Sequence, residues 1–309
     1  MLAFASNTIT VSTHTHKHRV SYIYTMKVLK FGGTSVGTSH ALEHVRDIVM
    51  SHEEPVIVVV SALGGMTDQL VELSKSDSMS ARTSYLIETF GRRYSDLIDD
   101  LIGENEQPQV RKAIRSLLDA LRDDIADRSR DEFFQDCIIS YGERLSSVFI
   151  SYLFDSKDTL LVPVLDLIST VDDNRSVDRD KSFGAINDYF SSHYADIYIV
   201  PGFIASAPDG HVANLGRGGS DLTAAIMARA LRSRQIEIWT DVDGYMTADP
   251  RRDKNATQIP SLTYKEALDM SLHGAKVVYA PALEIMDDLK IPLEVRNTFN
   301  PEGKFTHVH

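Results

Sequence analysis

Two periods of apolar spacing alternate along this chain from Met26 onward. "KVLKF" has the pattern of a short strand, "SHALEHVRDIVMS" carries apolar residues at helical spacing, and "PVIVVVSA" is a continuous apolar run of the kind buried on both faces of a parallel sheet. That order predicts a βαβ unit. From about Met66 to Asp155 β-branched runs are few and helical periods many, ending in "DEFFQDCIISYGERLSSVFISYLF", which predicts a layer of helices. Strand patterns resume with "TLLVPVLD", "DIYIVPGFIAS", "QIEIWTD" and "IPLEVRN"; between the last three, "SDLTAAIMARALRS" and "TYKEALDMSLHGAKVVYAPALEIMDD" read as helices. The expected fold is α/β, a three-layer αβα sandwich around a mainly parallel sheet. It forms one domain with two lobes, roughly 26–210 and 211–300, meeting near "PDGHVANLG". In such open sheets ligands sit beyond the carboxyl ends of the strands, so residues just after strands are the ones to inspect.

Composition narrows the partners. The chain has 309 residues, 43% hydrophobic, and Lys+Arg 32 against Asp+Glu 44 leaves a net charge of −12. An acidic protein repels nucleic-acid phosphates and anionic lipid, so any anion it binds must be held by a local site. Apolar runs fall short of the roughly 18 residues a membrane span needs. The first 25 residues lack a basic segment followed by a continuous apolar one, which excludes the pattern of a secretory signal. His14, His16 and His18 alternate there with Thr15 and Lys17. Metal binding is one reading of them, and a disordered polar extension is the expectation. The single cysteine, Cys137, rules out an internal disulfide and reads as a buried small hydrophobe in a reducing, cytoplasmic setting.

Several strand ends carry candidate chemistry. In "KFGGTSVG" Gly32 and Gly33 let backbone amides approach an anion, and Thr34 and Ser35 are placed to cap a following helix. This is not a P-loop, because Lys30 precedes the glycines rather than following them. Alone it reads more readily as a strand-end turn with an exposed lysine. "NLGRGGSDLTAA" adds a second amide nest at Gly216, Gly218 and Gly219, with Ser220 or Asp221 as cap of a helix starting near Leu222. Capping leaves Arg217 unexplained, since a planar guanidinium suits bidentate binding of carboxylate or phosphate.

"WTDVDGYMTADPR" lacks the glycine and glutamate spacing of a calcium loop and leaves an acidic turn plus Arg251, with Lys276 following in "HGAKVV". Glu143 lies within an apolar helix and needs a partner, either a cation such as Arg144 or a cationic group on a ligand. No H-E-x-x-H or C-x-x-C pair occurs. Glycine nests with Lys30, Arg217, Arg251 and Lys276, and few candidate general bases, point to phosphoryl transfer, which runs on positioning and charge neutralisation.

Taken together, "KFGGTSVG", "SALGGMTD", "SYGERLS", "GFIAS", "LGRGGSDLTAA", "WTDVDGYMTADPR" and "GAKVVYAPA" resemble, in order and spacing, the aspartate kinases of the amino acid kinase superfamily. The resemblance covers residues 26–300 and implies a carbamate kinase-like fold and transfer of the ATP γ-phosphoryl group to the side-chain carboxylate of L-aspartate, the first step of lysine, threonine and methionine synthesis. By motif, Lys30 resembles the lysine that neutralises the transferring group, and Asp221 the aspartate that holds it. Arg217 resembles the clamp on an aspartate carboxylate and Glu143 the partner of its ammonium, with Thr67 and Ser220 as polar contacts. Phe31, Gly32 and Gly33 resemble contacts to the phosphates, and Thr240, Asp241, Arg251, Lys276 and Val277 the other nucleotide contacts. The implied cofactors are ATP and Mg²⁺, the metal held mostly by phosphate oxygens, with no protein metal site.

One departure is Met246, where relatives carry a tyrosine; Tyr245 stands one position earlier. Another is the expectation that no ACT regulatory region or homoserine dehydrogenase follows, so that lysine and threonine inhibit weakly. A homodimer stays open. Two alternatives remain: an amino acid kinase with another carboxylate acceptor, and a nucleotide- and amino-acid-binding lobe without turnover.

Overall fold

The computed structural model describes residues 26–76, 80–127, 131–154, 156–171, 175–248, 253–275 and 277–309. The histidine-rich start, Arg251 and Lys276 therefore lie outside the described residues. In chain order the elements are β1 (Lys27–Phe31), α1 (Ser39–Met50), β2 (Val56–Val60), α2 (Met66–Lys75), α3 (Ala81–Leu101), α4 (Gln107–Ala126), α5 (Phe134–Ile150), β3 (Thr159–Leu161), α6 (Val164–Leu167), β4 (Thr170–Val171) and β5 (Ser176–Val177). There follow α7 (Arg179–Ser192), β6 (Ile197–Pro201), β7 (Ile204–Ser206), β8 (Val212–Asn214), α8 (Gly219–Ala230), β9 (Gln235–Thr240), β10 (Ser261–Leu262), α9 (Tyr264–Leu272), α10 (Ala280–Asp287), β11 (Leu293–Asn297) and β12 (Thr306–Val308).

Eight strands form one sheet in the order β10-β12-β11-β9-β1-β2-β6-β3. The ladders β9–β1, β1–β2, β2–β6 and β9–β11 are parallel, and only β12 runs antiparallel to β11. Residues alternate between faces, so each strand feeds two cores. Val28, Ile57, Val59, Ile236 and Ile238 pack under α7 to α10. Leu29, Phe31, Val58, Val60 and Trp239 pack under α1 to α5. This is the expected three-layer α/β arrangement. The all-buried "VIVVV" of β2 follows from having helices on both faces. Among the described residues, no helix is long and apolar enough to cross a membrane.

Several local expectations need correction. "DIYIVPGFIAS" is not one strand: it breaks at Gly202 and Phe203, and β7 leaves to pair with β8 in a separate two-stranded sheet. Phe203 sits at φ 69, a left-handed conformation rare for a bulky residue. "TLLVPVLD" yields only three strand residues, because Pro163 starts α6. "TYKEALDMSLHGAKVVYAPALEIMDD" is two helices separated around Gly274, whose φ is 105. Thr34 and Ser35 cap nothing. The cap of α1 is Thr38, whose hydroxyl accepts from the Ala41 amide, whereas Ser35 is buried and meets Thr298 Oγ1 at 2.6 Å. Cys137 is half-buried rather than buried, and its thiol is pushed up to about 12, first by burial and then by Asp124, which leaves it unreactive.

Candidate functional site

Because β1, β2, β6, β9 and β11 are parallel, their carboxyl ends fall on one edge, and the loops that leave them converge there. The loop after β1 meets the loop after β2 directly: the Gly64 amide donates to Gly33 O at 2.9 Å. A Cβ on Gly33 would stand 3.0 Å from Ala62 O, so only glycine lets the two backbones approach this closely. The loop after β1 is also tied to β9, since Gly32 N donates to Trp239 O.

Lys30 is half-buried and stands two residues before those glycines, on the face of β1 opposite the buried Phe31. Its ammonium lies 2.7 Å from Asp221 Oδ1, in a pair whose side chains are 13% and 11% exposed. The approach is ionic rather than along a hydrogen-bond direction, and Oδ1 has no hydrogen-bond donor. The other carboxylate oxygen accepts from the Tyr279 amide at 3.1 Å. Nζ also lies 3.6 Å from where a Cβ on Gly32 would stand, so the ammonium overhangs the glycine loop.

Asp221 does not cap α8, nor does Ser220. The helix starts at Gly219 with Gly218 as its cap, so both side chains lie inside the first turn, buried. Gly218 has φ 67, and a Cβ there would collide with the Tyr279 ring at 2.3 Å. Glycine is required at this position both by backbone angle and by packing. The turn around Arg217 is held from below. Asn214 Oδ1 accepts from Gly216 N at 3.1 Å, while its amide nitrogen donates to Asp136 Oδ1. Burial raises the pKa of Asp136 against the opposing pull of Arg175 and of the Asn214 hydrogen bonds. Arg217 itself is exposed, with no ion-pair partner among the described residues.

Glu143 is the second unusual charge. It is buried on α5; Oε1 accepts from the Ala62 amide at 3.1 Å, and Oε2 has no partner. Burial raises its pKa to about 8, so the carboxyl is largely protonated at neutral pH. The expected pairing with Arg144 does not form: that guanidinium lies 4.1 Å over the Tyr141 ring. A hydrogen-bond path continues from here, as Ser61 Oγ donates to Ser220 Oγ at 3.0 Å and Ser146 Oγ donates to Ser61 O at 2.8 Å. Glu143 and Ser220 thus bond adjacent residues of the loop after β2, Ala62 and Ser61, which brings α5 together with the start of α8 and its Lys30–Asp221 pair.

This network depends on Gly202, where a Cβ would come 2.7 Å from Ser220 Cβ and Oγ. Gly202→Ala is expected to destabilise the fold by about 1–3 kcal/mol through overpacking, read as a lowered urea midpoint with unchanged slope.

The remaining sequence candidates fall around this edge. Thr67 is half-buried in the first turn of α2, and Thr240 and exposed Asp241 end β9 beside β1. The Phe31 ring is fully buried and stacked on Trp239 at 6.1 Å, which leaves its backbone to face the loop. Val277 packs on the core beneath α8 to α10. Tyr245 is 0% exposed, and its hydroxyl meets Ser271, so its ring is unavailable for stacking on any ligand; Met246 is half-buried. The residues that sequence reasoning missed are Arg93, Asp136, Asn214 and Tyr279. Each acts on backbone or on another side chain; Asn214 and Tyr279 stand inside quoted motifs without an assigned role, and no motif marks Arg93 or Asp136.

A model described as the amino acid kinase family matches residues 25–297. The chain is 33% identical over 289 residues to the bifunctional aspartokinase/homoserine dehydrogenase 2, chloroplastic, of Arabidopsis thaliana, covering 88% of this chain and 31% of that protein. It is 31% identical to the aspartokinase of Chlamydia pneumoniae, covering 91% of this chain and 62% of the relative. Among solved structures, E. coli aspartokinase III in complex with aspartate and ADP (R-state) superposes with a TM-score of 0.81 at 28% identity, covering 91% of this chain and 64% of that one. The chain spans about a third of the length of the bifunctional relatives it matches.

Proposed function

Since this chain belongs to the amino acid kinase family, we propose that it is an aspartate kinase, transferring the γ-phosphoryl group of ATP to the side-chain carboxylate of L-aspartate. A carboxylate oxygen attacks the γ-phosphorus, the bond to the bridging oxygen breaks, and ADP leaves with that oxygen's charge. The acceptor is already ionised at neutral pH, with an unperturbed pKa of roughly 3.9, so the reaction asks for no strong general base. What it asks for is held charge and fixed geometry.

Under this reading Lys30 stabilises charge on the transferring group, and Asp221 keeps its ammonium over Gly32 and Gly33, whose amides receive phosphate oxygens. Arg217 takes a carboxylate of the amino acid, and Glu143 its ammonium, with Ser220 and Thr67 nearby. Thr240, Asp241, Val277, Arg251 and Lys276 face the nucleotide. Mg²⁺ would arrive with the nucleotide as part of that substrate and would offset phosphate charge there. Among the described residues no group of three or more His, Cys, Asp or Glu side chains is set up to hold a metal ion. The division near residue 210, into a part that holds aspartate and a part that holds ATP, goes with the same reading. So does a cytoplasmic setting.

The observation that carries the proposal is Glu143: a buried carboxyl with one oxygen unpartnered and the other bonded to the Ala62 amide, beside Ser61, which bonds the residue preceding the partner of Lys30. A ligand that has both carboxylate and ammonium, as aspartate does, satisfies Arg217 and Glu143 together. Support also comes from the similar E. coli enzyme whose structure holds aspartate and ADP.

ADP release with L-aspartate, L-glutamate, N-acetylglutamate, carbamate and UMP as acceptors tests it. Aspartate is expected to be preferred, and preference for any other acceptor sinks the proposal. In the same assay Arg217→Ala is expected to raise the aspartate KM by about 10- to 100-fold, the loss of one charge-assisted pair, with a smaller change in kcat.

A further inference from the structure

Arg93 lies on α3, a helix that supplies none of the motifs above, yet it reaches the junction of the two glycine loops. Nη1 donates to Gly64 O at 2.9 Å and Nη2 donates to Gly37 O at 2.7 Å. With the Gly64 amide bonded to Gly33 O at 2.9 Å, three hydrogen bonds bind the loop after β1 to the loop after β2. The loops are packed to the limit of backbone contact. A Cβ at Gly37 would stand 3.0 Å from Gly33 O, and one at Gly64 would stand 3.1 Å from the same oxygen.

We propose that Arg93 is a positioning residue for phosphoryl transfer, locking the two glycine loops in one register and directing an uncancelled positive charge at their backbone from the side opposite Lys30. The proposal rests on the phosphoryl-transfer reading above. Three features single the residue out. First, a half-buried guanidinium normally takes a carboxylate, and this one takes two backbone carbonyls with no acidic partner among the described residues. Burial pulls its pKa down, yet a guanidinium stays protonated at any pH of interest. Second, the two acceptors belong to different loops, and only a planar fork with separate donors spans both; an ammonium is a single point. Third, the adjacent Arg92 is exposed and reaches only Thr89 of its own helix, so the role belongs to one arginine and not to the basic pair. The consequence is that the amides of Gly32 and Gly33 are fixed before a phosphate arrives, with no reorganisation left for the reaction itself.

Arg93→Lys and Arg93→Met in the full chain test this, each read two ways. Amide hydrogen exchange followed by mass spectrometry needs no turnover. The segments holding residues 32–37 and 64 are expected to exchange about tenfold faster or more in both variants, with β2 and α5 unchanged, as for a local opening. Steady-state ADP release is expected to show kcat lowered by about 10- to 100-fold with the aspartate KM within about threefold, because sub-ångström misplacement costs rate before affinity. Lysine is expected to do little better than methionine.

Unchanged exchange in the glycine loops overturns the proposal. So does a kcat within twofold of wild type, or faster exchange spread evenly through the sheet, which would mark Arg93 as a general stabiliser. A wild-type chain that transfers no phosphoryl group to any acceptor overturns the functional reading instead, and the exchange comparison still decides whether Arg93 locks the loops.

Discussion

Lys30→Met lowers kcat by about 10³-fold while the aspartate KM moves by less than about threefold, the signature of a group whose charge is used as the phosphoryl group transfers. The ammonium is preset for the proposed role: its Nζ is held 2.7 Å from Asp221 Oδ1 and overhangs Gly32, so its charge lies over the glycine loop proposed to receive the phosphates. Methionine keeps the length and loses the charge. It also leaves the mostly buried Asp221 carboxyl without its cation and with only the Tyr279 amide to satisfy it, at a cost of up to about 3 kcal/mol of stability. Rates are therefore compared well below the variant's melting temperature, with circular dichroism confirming the fold. If kcat survives and only the KM for ATP rises, Lys30 binds the ground state and the assigned role is wrong.

The second large effect concerns Glu143. The free protein holds this carboxyl with a pKa of about 8, against 4.5 for an ordinary glutamate, chiefly through burial. An ammonium placed on Oε2 favours the ionised form, so aspartate binding below pH 8 releases a proton. The aspartate KM is then expected to fall as pH rises from about 6 to 8, by up to about tenfold per unit, and to level off above. Stability runs the other way. The folded-state pKa is raised, so the contribution of neutral Glu143 is fully present below pH 4.5 and is lost as pH rises through about 8.

Glu143→Gln removes both slopes. It leaves the ligand-free protein as stable or more stable near pH 8, and raises the aspartate KM by about 10- to 100-fold, since a charge-assisted bond becomes a neutral one. Urea midpoints and KM values measured across that range check the two slopes together. A wild-type KM independent of pH between 6 and 8 contradicts the ammonium role.

The fold was readable because burial on two faces leaves a distinct trace in sequence. "VIVVV" has no polar position, and the apolar spacing of "SHALEHVRDIVM" matches the buried Ala41, Leu42, Val45, Ile48 and Val49 of α1. The site was readable where the chemistry demands rare combinations: a lysine before two glycines, an arginine among three, a glutamate inside an apolar helix. Reading failed where tertiary contacts override local propensity. Thr34, Ser35, Ser220 and Asp221 are good capping residues by type, yet the caps are Thr38 and Gly218, because the loops are shaped by neighbouring strands and by the Tyr279 ring. Arg144 stood next to Glu143 in sequence, but a helix points adjacent side chains about 100° apart, and the guanidinium found an aromatic face instead. Arg93 and Asp136 left no signal, since what each one holds is distant in sequence: two loop carbonyls for Arg93, and Asn214 and Arg175 for Asp136.

The most direct measurement traps the product. Incubating the chain with ATP, Mg²⁺, L-aspartate and hydroxylamine converts any side-chain acyl phosphate to aspartyl hydroxamate, which mass spectrometry identifies. Hydroxamate formation that requires ATP and collapses in Lys30→Met is the predicted result. ADP release without hydroxamate, or hydroxamate formed equally by Lys30→Met, contradicts the account.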